Sequence, residues 1–157
     1  MQKISPFLWF NDQAEEAANF YVSLFDVSSV TNVARYPEGS PSPAGQVMTV
    51  NFQLAGQEFV ALNGGPEFTF SEAISFYVHC KDQDEVDHFW AQLTEGGEEK
   101  QCGWLKDRFG LSWQIVPDRL GELLGDPDPA RSQAAMQAML QMSKIEIKVL
   151  EDAANAA

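Results

Sequence analysis

Along the first 117 residues, apolar and polar positions alternate in short runs, and twice that alternation gives way to helical spacing. "ISPFLWF" (residues 4–10) is apolar and aromatic and predicts a strand. In "NDQAEEAANFYVSLF", Asn11 and Asp12 offer N-cap chemistry, and Glu15 and Glu16 suit the positive end of a helix dipole. Ala17, Phe20, Tyr21 and Leu24 then recur every three or four positions, which predicts an amphipathic helix ending near Phe25. Residues 28–36 are β-branched and alternating, residues 37–45 hold three prolines and read as a loop, and residues 46–54 alternate again. Ala55-Gly56 turns the chain so that residues 57–64 pair back as a hairpin.

After a turn-rich crossing at residues 64–72 the pattern restarts. "AISFYVHC" (residues 73–80) predicts a strand, and Asp82 caps a second helix whose apolar stripe is Val86, Phe89, Trp90 and Leu93. Gly96-Gly97 stops it. Residues 102–110 hold a short strand and a bend from Asp107 to Gly110, and "LSWQIVP" (residues 111–117) is the last sheet strand, ended by Pro117. Each half therefore reads βαβββ. One helix per module excludes the doubly wound α/β pattern, and the fold class expected is α+β with a curled mixed sheet and one helix on the back of each module. The chain divides as module 1 (about 1–64), module 2 (about 73–117) and a helical extension (about 118–157), within a single domain spanning 1–157. In the extension Leu120, Leu123 and Leu124 suit a short helix, Pro127 and Pro129 restart the chain, and residues 130–142 suit a longer one. Residues 145–150 fit strand or helix equally, and the methionine-rich stretch suits packing on this domain or on a partner subunit.

Composition narrows the functional classes. A chain of 157 residues can bury enough surface to fold without disulfides or a structural metal. A formal net charge of −13 opposes nucleic acid and anionic membranes as partners. No apolar run approaches the ~20 residues of a membrane helix, and the start "MQKISPFLWFNDQ" lacks a signal-peptide apolar core, so a cytoplasmic location is expected. Cys80 and Cys102 have no reactive-site motif around them, and Cys80 sits in an apolar strand.

The stretches "ISPFLWFNDQAEEAANFYVSLF", "GQEFVALNGGPEFTFSEAISFYVHC", "CGWLKDRFGLSWQIVP" and "AMQAMLQMSKIEI" together give the chain a family likeness. It resembles the vicinal oxygen chelate superfamily (glyoxalase I, bleomycin-resistance proteins and extradiol dioxygenases), and within it the PhnB-like branch often labelled as a 3-demethylubiquinone-9 3-methyltransferase domain. The resemblance implies a homodimer and a cavity on the concave side of the sheet. Metal-dependent members hold a divalent ion with His, Glu or Gln from inner strands. Carried over by position, those ligands fall near Pro6, at Phe59 or Ala61, at Ser75 and at Gln114, with His79 and Gln46 as near-register neighbours. Only Gln114 is a plausible ligand in that register, so no tightly bound metal and no other cofactor is expected. The methyltransferase label finds no glycine-rich loop after a first strand, because Gly64-Gly65 follow a hairpin strand.

Strand alternation puts Ser75, Tyr77 and His79 on one face, and Ser112 and Gln114 on the cavity side of the last strand, with Trp113 and Ile115 toward the helix. An apolar pocket with a few polar anchors is the usual small-molecule site. The substrate-binding set expected is Asn63, Ser75, Tyr77, Trp104 and Gln114. His79 suits a general base or a strand-end hydrogen bond, and His88, Glu85 and Asp87 suit a solvated helix flank. Asp107 suits the turn before Gly110, and Trp104, Trp113, Phe52, Trp9 and Phe7 should mostly be core. The reading expected is a metal-free binder of a small organic ligand, with no reaction assigned. Its alternatives are a metal-dependent lyase, isomerase or dioxygenase, a 3-demethylubiquinone-9 3-methyltransferase, and a drug-sequestering resistance protein.

Overall fold

A computed structural model describes residues 2–157. The chain forms two compact units, one running to Phe70 and the other from Ser71 to Ala157. The expected repeat is present in both, and each module builds its own four-stranded mixed sheet.

In the first unit, β1 (Phe7–Phe10) is followed by α1 (Ala14–Leu24), β2 (Ser29–Arg35), β3 (Val47–Leu54) and β4 (Gln57–Asn63). The sheet order is β1-β4-β3-β2, with β1 parallel to β4 and the other pairs antiparallel. Ala14, Ala17, Ala18, Tyr21 and Leu24 line the buried face of α1. Three alanines in that set let the helix axis sit close to the sheet, where Tyr21 meets Phe52 at 6.3 Å between ring centroids and Phe52 stacks on Phe59 at 5.4 Å. Ala55 and Gly56 turn the β3–β4 hairpin with positive φ at both positions (49° and 85°), the requirement of a type I′ turn.

Two expectations for this unit need correction. Asn11 and Asp12 do not cap α1, because the backbone stays non-helical through Gln13, whose side chain makes no capping bond. The Ala14 N–H donates instead to Asn63 Oδ1 at 2.8 Å, so the cap comes from the end of β4. Phe7 is 59% exposed rather than core, since on β1 it is Leu8 and Phe10 that point inward.

The second unit runs β5 (Phe76–Cys80), α2 (Gln83–Thr94), β6 (Glu98–Glu99), β7 (Trp104–Lys106) and β8 (Ser112–Pro117), in the order β5-β8-β7-β6. Again the first strand lies parallel to the last. Asp82 caps α2 as expected, accepting from the Glu85 N–H at 2.9 Å, and Val86, Phe89, Trp90 and Leu93 are its buried residues. Asp107 holds the turn between β7 and β8. Its Oδ1 accepts from the N–H groups of Phe109 and Leu111, and its Oδ2 accepts from Trp113 Nε1 at 2.9 Å.

The extension folds onto this same unit. It comprises α3 (Asp118–Leu124), α4 (Pro129–Leu140) and α5 (Ile147–Asn155), which settles residues 147–150 as helix. Val116, Leu120, Leu123, Ala135, Met142, Ile145, Leu150 and Ala154 form one buried cluster. The segment leading into α5 is latched to the module by its backbone. The Cys102 and Gly103 N–H groups donate to the carbonyls of Met142 and Ser143, both at 2.8 Å. Gln83 brackets Ile145 and Ile147, donating from Nε2 to the Ile145 carbonyl (2.9 Å) and accepting at Oε1 from the Ile147 N–H (2.8 Å). Gly103 has φ +83° and sits so close to Ile145 that a Cβ there would lie 3.0 Å from Cγ1.

Candidate functional site

Four of the five expected site residues come together in the second unit. β5 pairs with β8 so that Tyr77 lies opposite Gln114, and β8 pairs with β7 so that Gln114 lies opposite Trp104. Tyr77, Gln114 and Trp104 thus stand abreast across three strands, on the face away from α2. The opposite face carries Trp113, Ile115, Cys80 and Leu105, all buried. Ser75 lies just before β5, where its Oγ accepts from Gln114 Nε2 at 3.0 Å. That bond orients the amide and leaves Oε1 and the second N–H uncommitted. Tyr77 is half exposed. Its phenol pKa is pushed up by burial first and then by the carboxylate of Asp118 and by Cys80, so the hydroxyl keeps its proton at neutral pH.

One row further along this face, Lys106 lies opposite Ser112. Lys106 Nζ pairs with Glu72 at 2.8 Å, and that contact raises the lysine pKa and lowers that of the glutamate. In the other direction His79 packs beside Tyr77, ring centroids 4.8 Å apart, with Nδ1 3.7 Å from Asp118 Oδ1. Both members of that pair are well exposed. His88 is exposed on α2 as expected, with Phe89 beside it.

Asn63 belongs to the first unit, and its side chain is already occupied. Oδ1 caps α1, while Nδ2 donates to the Val47 carbonyl at 3.0 Å. Tyr36 Oη donates to the Asn63 carbonyl at 2.5 Å. Asn63 is therefore a brace for the wall of a cleft of about 480 Å³, which Asp12, Glu15, Tyr36, Gln46 and Gly64 also line. Trp9 closes over the adjacent backbone, donating from Nε1 to the Gly65 carbonyl at 2.9 Å. Sequence reasoning missed this cleft because its lining comes from loop ends rather than from any periodic face.

A divalent metal of the kind known in the superfamily finds no matching donor set in these residues. Pro6 has no side-chain donor, and Phe59 and Ala61 are apolar core. Gln114 offers a single oxygen with no second His, Glu or Gln ligand among these positions beside it, and His79 faces Asp118 in the open. Among the described residues no three His, Cys, Asp or Glu side chains converge, and zinc or iron sites ordinarily use three or four N, S or O ligands.

Comparison with known proteins agrees with the repeated module. The family model described as 3-demethylubiquinone-9 3-methyltransferase matches residues 2–116, so the extension, including "AMQAMLQMSKIEI", lies beyond the matched span. A PhnB protein from Bacillus cereus is 39% identical with a TM-score of 0.68, covering 74% of this chain and 99% of that one. A protein from Pseudomonas aeruginosa is 20% identical with a TM-score of 0.62, covering 74% of this chain and 98% of that one. The fosfomycin resistance protein FosX of Listeria monocytogenes is 12% identical with a TM-score of 0.51, covering 74% and 93%, and is similar in fold alone. A search of curated proteins gave no match. With the module order, the matched span and the Bacillus likeness in agreement, the chain belongs to the 3-demethylubiquinone-9 3-methyltransferase family, the PhnB-like branch of the glyoxalase-like fold.

Proposed function

We propose that the protein binds a small organic ligand on the open face of the second sheet, and does so without a metal or other cofactor. The observation that carries this reading is the Tyr77–Gln114–Trp104 row with its amide locked by Ser75. Two aromatic side chains flank one oriented polar anchor, which is the composition expected of a small-molecule site. The weak donor set at the positions where relatives of the superfamily hold metals supports the metal-free part. Nucleic acid and anionic membranes are disfavoured as partners by the net charge of −13. No helix among the described residues is long and apolar enough to cross a membrane, which accords with a cytoplasmic place of work. A homodimer is the assembly the family resemblance implies.

Methyl transfer is the second reading, because the family description names it. Against it stands the connection from β1 to α1, which runs through Asn11, Asp12 and Gln13 with no glycine to let a nucleotide approach the helix N-terminus. Calorimetric titration of the full chain separates the readings. A panel of flat aromatic compounds should give saturable heat that Gln114→Ala reduces at least about fivefold in affinity, the worth of one buried hydrogen bond. S-adenosylmethionine should give none. Saturable binding of S-adenosylmethionine, or an ion bound one per chain after purification without an affinity tag, would overturn the metal-free binding reading.

A further inference from the structure

Ser112 raises a question that the row above it helps answer. Its Oγ is buried, with the residue 1% exposed, and has no hydrogen-bond partner among the described residues. An orphaned buried hydroxyl costs stability, so such a group in a folded protein asks for a role. Strand alternation places Ser112 on the same face as Gln114, two positions away, and away from Trp113 and Ile115. The side chains beside it on that face, Gln114 along the strand and Lys106 across it, are long and flexible. With Gln114 held by Ser75, a ligand group reaches the hydroxyl when Lys106 swings out of its contact with Glu72.

We infer that Ser112 is a specificity-determining residue of this face, and that the ligand is an aromatic compound carrying a hydroxyl group which seats against Ser112 Oγ and Gln114 Oε1. This deepens, and rests on, the binding reading above. The chemistry follows from what is left uncommitted. One of the two Gln114 amide N–H bonds is committed to Ser75, which holds the amide in place and leaves Oε1 as an acceptor for a donor on the ligand. The serine hydroxyl accepts or donates as required. Trp104 and Tyr77 on either side of Gln114 offer ring faces to an aromatic body. A ligand hydroxyl satisfies both oxygens at once, whereas an ether oxygen can pair with the serine but not with the amide carbonyl.

The test is calorimetric titration of the full chain with 2-naphthol and with 2-methoxynaphthalene, alongside thermal unfolding of each variant. Wild type should bind 2-naphthol about five- to tenfold more tightly than the methyl ether, which cannot donate to Gln114 Oε1, and Ser112→Ala should weaken 2-naphthol by about the same factor. Because the hydroxyl is unpaired in the free protein, the Tm of Ser112→Ala should equal or exceed that of wild type. Undiminished 2-naphthol affinity in Ser112→Ala, with Gln114→Ala still weakened, overturns the role of Ser112 and leaves the binding face standing. A lowered Tm in Ser112→Ala also overturns it, since the hydroxyl would then already have a partner in the fold. If wild type binds neither probe, or Gln114→Ala has no effect, the underlying binding reading fails and the inference with it.

Discussion

Ile145 offers the sharpest test of how the extension is held. Its side chain is wholly buried, in the cluster with Val116, Leu123, Met142 and Leu150. Replacing it by alanine removes carbon groups worth about 0.8 kcal/mol each in transfer free energy, or roughly 2.4 kcal/mol for the set. The surrounding backbone leaves little room to collapse, because Cys102 and Gly103 are bonded to Met142 and Ser143, and Gln83 holds Ile145 and Ile147. A residual cavity adds to the loss, and large-to-small core substitutions of this type run about 2–5 kcal/mol. We expect Ile145→Ala to cost about 3 kcal/mol, which for a chain of this size lowers Tm by roughly 6–12 °C. Urea unfolding followed by circular dichroism would read it as a lower midpoint at unchanged slope. Met136→Ala, at an exposed position of α4, serves as the control and should stay within about 0.5 kcal/mol of wild type. An Ile145→Ala midpoint indistinguishable from that control would refute the claim that this segment is integral to the second unit.

Three further outcomes follow from the structure. Asp107→Ala strands two backbone N–H groups and the Trp113 indole, and should destabilise by about 3 kcal/mol or more, with Asp107→Asn costing less, as measured by chemical denaturation. Ala55→Asn relieves a left-handed alanine in the β3–β4 turn and should stabilise by up to about 1 kcal/mol; a lower unfolding midpoint would count against the turn assignment. Burial pushes the Cys80 thiol from an ordinary value of 9.0 up to about 12, with Glu85 adding to the rise. The raised folded value means its contribution to stability is complete below pH 9 and is lost as pH climbs toward 12. Iodoacetamide at pH 8.5 should therefore leave Cys80 unlabelled until urea unfolds the chain, a pattern that mass spectrometry of tryptic peptides would show or deny.

The repeated module was legible because both halves carry period-two strands around one period-3.6 helix, with turn residues where the hairpins close. Asp82 and Asp107 were readable for the same reason, since each acts on a neighbour within a few positions. What escaped were features with no local signal. β6 is the pair Glu98–Glu99, which has no apolar residue to mark it as a strand. The cap of α1 comes from Asn63, which is distant in sequence and reads simply as a polar strand end. Phe7 looked like core because an aromatic residue in a strand usually is, yet the alternation of β1 turns it outward. At the site, strand pairing could place Gln114 beside Tyr77 and Trp104, but only side-chain geometry shows that Ser75 locks its amide and that Ser112 is left without a partner.

The two helices open with similar sequences yet depend on their surroundings differently. α2 carries its own cap in Asp82, so the N–H that the cap satisfies finds its partner within the helix's own first residues. The Ala14 N–H at the start of α1 has its partner only once the chain has travelled 49 residues and returned with Asn63 at the end of β4. The helix made first is thus completed only when the sheet beneath it arrives. Exchange of the Ala14 amide becomes a clock for docking of β4 rather than for helix formation.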